Sequence, residues 1–239
     1  MRKVPLAADM TQIITKEELA ELDLVEINER IAKAFHYDEY KWQKDNDIQI
    51  KFKERAKGLH HVLYQCPRCH TEHEMDSADH RIWCLACDKT WEMGFDGQLK
   101  ATEGKTEFAH IPDWYEFQRE QVKKQIVAGT YRFEDEVMVE SLPNADGYIP
   151  LGKGRLTHDL NGFKLEGHFN DKPFLLIKEP LSMYGAHIEY DYFGKGDCVD
   201  LSTLSDTYYI YPINQKNVVT KLHFATEEIY KIHKAQIKK

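Results

Sequence analysis

Four of the chain's five cysteines fall as Cys66-Pro67-Arg68-Cys69 and Cys84-Leu85-Ala86-Cys87, two Cys-x-x-Cys pairs with 14 residues between them. No other feature restricts the fold as much. Each pair delivers two sulfurs from one tight turn, and two such turns assemble the tetrahedron that zinc prefers, with bonds of about 2.3 Å. Five cysteines are an odd number for a disulfide framework, so this spacing reads as metal binding. The expected ligands are Cys66, Cys69, Cys84 and Cys87, holding one structural Zn2+ in a zinc ribbon over residues 60–100. A segment of about 40 residues is too small to be held by its own apolar core, so metal binding and folding are one event there. Four thiolates close the coordination shell, which argues against catalysis at the metal. His70, His73 and His80 lie near enough to replace a sulfur, but four cysteines in register leave them no place. Cys198 reads as a buried thiol without a redox task.

The rest of the chain divides by periodicity into an α+β protein. Residues 1–59 read as a helical segment with one strand. Thr15 with Glu18, and Asp23 with Glu26, have the spacing of capping boxes; Leu19 and Leu22, then Leu24, Ile27, Ile31 and Phe35, are expected to face inward. Tyr37–Trp42 shows no period and reads as an irregular connection. From Ile48 the pattern alternates, with Ile48, Ile50 and Phe52 opposite a basic stripe of Lys51, Lys53, Arg55 and Lys57; the stripe is a solvated strand face or a contact for an anionic surface such as lipid head groups. Residues 101–130 read as a linker helix opened by Pro112, carrying Trp114, Phe117, Val122 and Ile126, and closed by Gly129. Residues 131–239 read as seven short strands (137–142, 148–158, 163–169, 174–178, 187–193, 198–203 and 208–212) and a helix from Thr226 with Leu222, Ile229, Ile232 and Tyr230 inward.

Composition narrows the function classes. No run of about 18 apolar residues exists to cross a bilayer, and the first nine residues lack a signal-peptide core, so a cytoplasmic chain, at most peripheral at a membrane, is expected. Zinc ribbons with this spacing include nucleic-acid binders, which is the alternative reading. Against it stand a net charge of −8 and a neutral stretch over 51–100, where eight basic residues meet eight acidic ones. Gly147–Gly154 has the spacing of a phosphate-binding loop, but Gly154 stands where a hydroxyl must hold magnesium, so its glycines read as turn or bulge residues. No Gly-x-Ser-x-Gly elbow occurs. His187, Glu189 and Asp191 alternate onto one strand face, most simply the solvated one, and an independent enzyme would need a pocket gathering His187 or His158 with carboxylates. No catalytic residue is assigned.

Several runs carry a resemblance: Lys3–Leu6, Met10–Thr15, the four cysteines, Gly129–Glu136, Ile149–Leu156 and Asp197–Thr203. On them, nearly the whole chain resembles the region that follows the catalytic domain in bacterial 1-acyl-sn-glycerol-3-phosphate acyltransferase-like proteins. The resemblance implies an accessory region that docks, regulates or binds lipid head groups for a phospholipid-biosynthesis acyltransferase, with that catalytic domain in the same polypeptide or a partner chain. Such enzymes activate a hydroxyl with the His of a His-x4-Asp motif. No histidine here is followed five positions later by aspartate, the nearest spacing being His223 to Glu228, so no catalytic residue carries over. Residues 131–239 also resemble a pleckstrin-homology (PH) or GRAM-type β-barrel in element order, which implies lipid or protein binding, with Lys153, Arg155 and Lys195 near its turns.

Overall fold

The computed structural model describes residues 8, 10–144, 146–169 and 171–237. The run Lys3–Leu6, most of the first nine residues and Ala145 of the turn at 144–147 lie outside the described residues. Both capping boxes form: Thr15 and Glu18 close α1 (Lys16–Glu21), and Asp23 and Glu26 close α2 (Leu24–Ala34). Their apolar stripes do not face a core. Leu24 is 73% exposed and Phe35 78%, Leu19 and Ile31 are also exposed, and only Leu22 and Ile27 are half-buried. Caps and the Arg30–Glu18 ion pair at 2.8 Å define these helices, not burial. Tyr37–Trp42 is not irregular: Asp38 caps α3 (Glu39–Asp45) by accepting from the Lys41 amide.

The strand expected from Ile48 is absent, because the segment lies against the ribbon instead of pairing. The Ile50 amide bonds to Phe95 O at 2.7 Å, and Arg55 donates to Met93 O at 2.6 Å while its guanidinium covers the Phe95 ring. Turns follow over residues 53–58, which breaks up the basic stripe; Lys53 pairs with Asp79 and Lys57 with Glu54.

A one-turn helix, α4 (Leu59–Val62), leads into four antiparallel strands in sequence order: β1 (Met75–Ala78), β2 (Arg81–Cys84), β3 (Thr90–Met93) and β4 (Leu99–Ala101). Ile82, Trp91 and Leu99 are buried with Leu63 and Trp114 in one core. Trp114 belongs to α5 (Ile111–Val127), which has Pro112 in its first turn and ends before Gly129 at φ +68°. This helix is no mere linker. Trp114 packs in the ribbon core, whereas Val122 and Ile126, two turns on, pack in the second core.

That second core lies under one antiparallel sheet of β5 (Phe133–Ser141), β6 (Ile149–Asp159), β7 (Gly162–Phe169), β8 (Lys172–Lys178), β9 (His187–Glu189), β10 (Cys198–Ser202) and β11 (Thr207–Pro212). The order is β8-β7-β6-β5-β11-β10-β9, and α6 (Val219–Ile237) packs Leu222, Phe224 and Ile229 into the same core. Seven strands and a closing helix match the expectation, but the sheet is open and not a closed barrel. Its edges, β8 and β9, do not pair: β9 is three residues long, and residues 179–186 join the two edges as loop. Strand 187–193 is cut short because Asp191 and Phe193 are left-handed and the Asp191 amide turns back to Asp197. The helix begins at Val219, not Thr226. The glycine run sits in β6 as a bulge: Val139 faces Gly152, Glu140 faces Pro150, and Gly152 has φ +102°. Among the described residues no helix is long and apolar enough to cross a membrane.

Inside the sheet core, His158 is 1% exposed, its Nδ1 2.8 Å from the Tyr131 hydroxyl and its ring stacked on Phe163. Burial lowers its pKa to about 3. The folded value lies below the unfolded value of about 6.5, so as pH falls the unfolded chain takes the proton first and stability drops. The expected loss is up to about 1.4 kcal/mol per pH unit between about pH 6.5 and the folded pKa. Urea unfolding at pH 7, 6 and 5 should show His158→Gln with a shallower decline than the native chain; equal declines would contradict this account.

Candidate metal centre

The two cysteine turns are built alike. Cys66 N bonds to Thr71 O at 3.0 Å and His70 N to Cys66 O at 3.0 Å; Cys84 N bonds to Lys89 O at 2.9 Å and Asp88 N to Cys84 O at 2.9 Å. In each turn the residue after the second cysteine is left-handed, His70 at φ +62° and Asp88 at φ +57°. These matched turns aim four sulfurs at one point. All four lie within 4.8 Å of one another, with Cys66–Cys87 at 3.8 Å and Cys69–Cys84 at 3.7 Å. A regular tetrahedron with bonds of about 2.3 Å has edges of about 3.8 Å. Disulfides need about 2.05 Å, far shorter than these contacts, and all four cysteines are free. The four cysteines therefore form a group that can hold a metal ion.

The centre has a dry side and a wet side. Cys66 and Cys84 are buried in the ribbon core, Cys87 is half-buried and Cys69 is exposed. Burial pushes the Cys66 thiol up and takes Cys84 up to about 11. At Cys69 burial also acts upward, but hydrogen bonds from Thr71 and the neighbouring sulfurs outweigh it, and the thiol falls to about 6. A cation at the centre supplies what the buried thiols need to ionise.

Helix α5 holds the first turn in place, a role that sequence spacing did not reveal. The Gln118 carbonyl accepts from Gln65 N at 2.9 Å, its amide donates to Val62 O at 3.0 Å, and the Trp114 indole donates to Gln65 O at 2.8 Å. Gln118 is fully buried. A glutamine four residues after a buried tryptophan, on the inward face of a helix, was the available signal.

Among the described residues no histidine joins the sulfurs. His70 stands against Phe117, His73 contacts Asn217 O at 3.2 Å and His80 lies 3.7 Å from Glu92. Cys198 is fully buried at a distance from the centre, its thiol raised by burial and by Asp200. His187 is exposed and bonds to Asp200 at 2.7 Å, while Asp191 lies beyond the end of β9 and leaves the expected shared face. Of the three cations expected near turns, Lys153 and Arg155 lie inside β6, and all three are paired: Lys153 with Glu136, Arg155 with Glu134 and Lys195 with Glu140. A cleft of about 820 Å³ between ribbon and large sheet brings together His60, His61, Asp76 and Asp197, with His61 2.9 Å from Asp197. Its lining carries a His–Asp pair but no Ser, Thr or Cys to act as nucleophile. No family model, curated protein or solved structure matches the chain.

Replacing Cys69 by Ser is expected to abolish stoichiometric metal binding, and Cys198→Ser to leave it unchanged, as read by metal content per chain. Gln118→Leu strands the Gln65 N–H and Val62 C=O and should cost about 2–4 kcal/mol in denaturant unfolding. Metal retained in Cys69→Ser, or an unperturbed Gln118→Leu, would contradict the geometry.

Proposed function

We propose that the chain is a non-catalytic accessory module, folded by one structural zinc ion, that docks onto or regulates a phospholipid-biosynthesis acyltransferase in the same polypeptide or in a partner. The closed four-sulfur shell carries the non-catalytic part of this reading: it offers no position for substrate, and its donor set and edge lengths suit Zn2+. A four-thiolate site also accepts iron, so zinc is distinguished by a colourless protein with one zinc per chain.

The acyltransferase part rests on the resemblance of the runs given above. In this fold those runs occupy positions that shape the chain. Gly129 ends α5, Asp135 accepts from the amides of Asn214 and Gln215, the 149–156 run forms the bulged strand, and Asp197 receives His61. The meander order of the large sheet, the β5–β11 pairing and the α6 cover support a PH- or GRAM-like assignment for residues 131–239. Such modules serve as docking surfaces. A protein partner is favoured over an anionic lipid surface, because Lys153, Arg155 and Lys195 already hold glutamates. The neutral 51–100 stretch supports the same choice over nucleic acid.

The purified chain, incubated with lysophosphatidate and an acyl donor, is expected to give no turnover above the uncatalysed rate. Turnover that disappears on replacing His61 by Ala would overturn the non-catalytic reading and place the chemistry in the cleft. Absence of zinc in the carefully prepared protein would overturn the structural-metal part.

A further inference from the structure

The large sheet ends in β8, an edge strand of sequence Lys172-Pro173-Phe174-Leu175-Leu176-Ile177-Lys178. Its inner edge pairs fully with β7, from Phe169–Lys172 to Phe163–Lys178. Among the described residues no backbone group of β8 bonds outside that ladder. The outer edge thus presents a row of unpaired N–H and C=O groups from alternate residues, Pro173 itself having no N–H. Apolar side chains stand beside that row on both faces. Leu175 and Ile177 are 58% and 55% exposed, and Phe174 and Leu176, which pack on the core, are only partly covered because the sheet is open there. A long, apolar, unpaired edge is the geometry that accepts an added strand.

The charges at its ends specify the occupant. Strand alternation places Lys172 and Lys178 on the same face as Phe174 and Leu176, and among the described residues neither lysine holds a carboxylate. A second copy of this chain does not fit. Antiparallel two-fold pairing keeps like faces together, so the register that overlaps the whole strand sets Leu175 against Leu175 and Lys172 against Lys178. One position further out it sets Asp171 against Glu179. Like charges then oppose each other at both ends, which is destabilising. A strand with acids opposite the two lysines turns the same contacts favourable.

We propose that β8 is a docking edge for an extended segment of a partner protein, seven residues long, acidic at its first and last positions and apolar between them, added antiparallel to the strand. The inference rests on the sheet edge alone and stands apart from the acyltransferase reading.

The test uses the full, metal-loaded chain and two labelled seven-residue peptides with five apolar residues between their ends, one with aspartate at both ends and one with lysine. Fluorescence polarisation should show the aspartate peptide binding at least about tenfold more tightly, and hydrogen exchange should show new protection at residues 172–178. Leu175→Asp combined with Ile177→Asp should weaken that binding at least about tenfold. Both positions are exposed, so folding is expected to persist, checked by metal content and melting. Equal binding of the two peptides, protection elsewhere, or dimerisation through β8 in sedimentation would each overturn the proposal. The peptide comparison and the exchange map need no variant.

Discussion

The convergence of four sulfurs between two short turns is the constraint on which the smaller half of this protein depends. Strands of three or four residues with one or two buried positions each do not bury enough apolar surface to hold themselves. The matched hydrogen bonds of the two turns, and the left-handed residues His70 and Asp88 that close them, position the thiols before any metal is considered. A metal ion held there would convert four groups that repel as thiolates into a crosslink between the two turns.

The centre is tied into the whole molecule through α5. Its first turns present Trp114 and Gln118 to the backbone beside Cys66, and its last turns carry Val122 and Ile126 into the core beneath the large sheet. Further bonds cross between the two parts: His61 to Asp197, the Thr220 hydroxyl to His61 O at 2.7 Å, and Lys221 and Gln125 to Glu72. Most of these groups are shielded from water, where such contacts are worth more than at the surface. The ribbon and the sheet therefore stabilise each other, and α1 and α2, with no buried residue, lie outside that cooperation.

The elements that were legible in the sequence are those whose signal is local. Cysteine spacing, the Thr15 and Asp23 caps, and Pro112 and Gly129 around α5 each act within a few positions, and each appears where expected, whereas of the expected turn residues Gly162 opens β7 and Lys172 and Pro173 lie inside β8. Failures came where periodicity had to stand in for tertiary contact. The stripe Leu24–Phe35 has a helical period but, among the described residues, little to pack on beyond a half-buried Ile27, and the alternation from Ile48 was overridden by Arg55 bonding to the β3–β4 hairpin. The His61–Asp197 pair and the Gln118 bracket join residues 136 and 53 positions apart, beyond anything spacing can report. Closure of the sheet depended on whether β9 is long enough to meet β8, which alternation alone does not determine.

The central claim is that Cys66, Cys69, Cys84 and Cys87 together hold one zinc ion and nothing else completes its shell. X-ray absorption fine structure at the zinc edge, recorded on the purified chain, addresses that shell directly. The account predicts four sulfur scatterers at about 2.3 Å and no nitrogen or oxygen in the first shell. A shell containing nitrogen or oxygen, or fewer than four sulfurs, would contradict it.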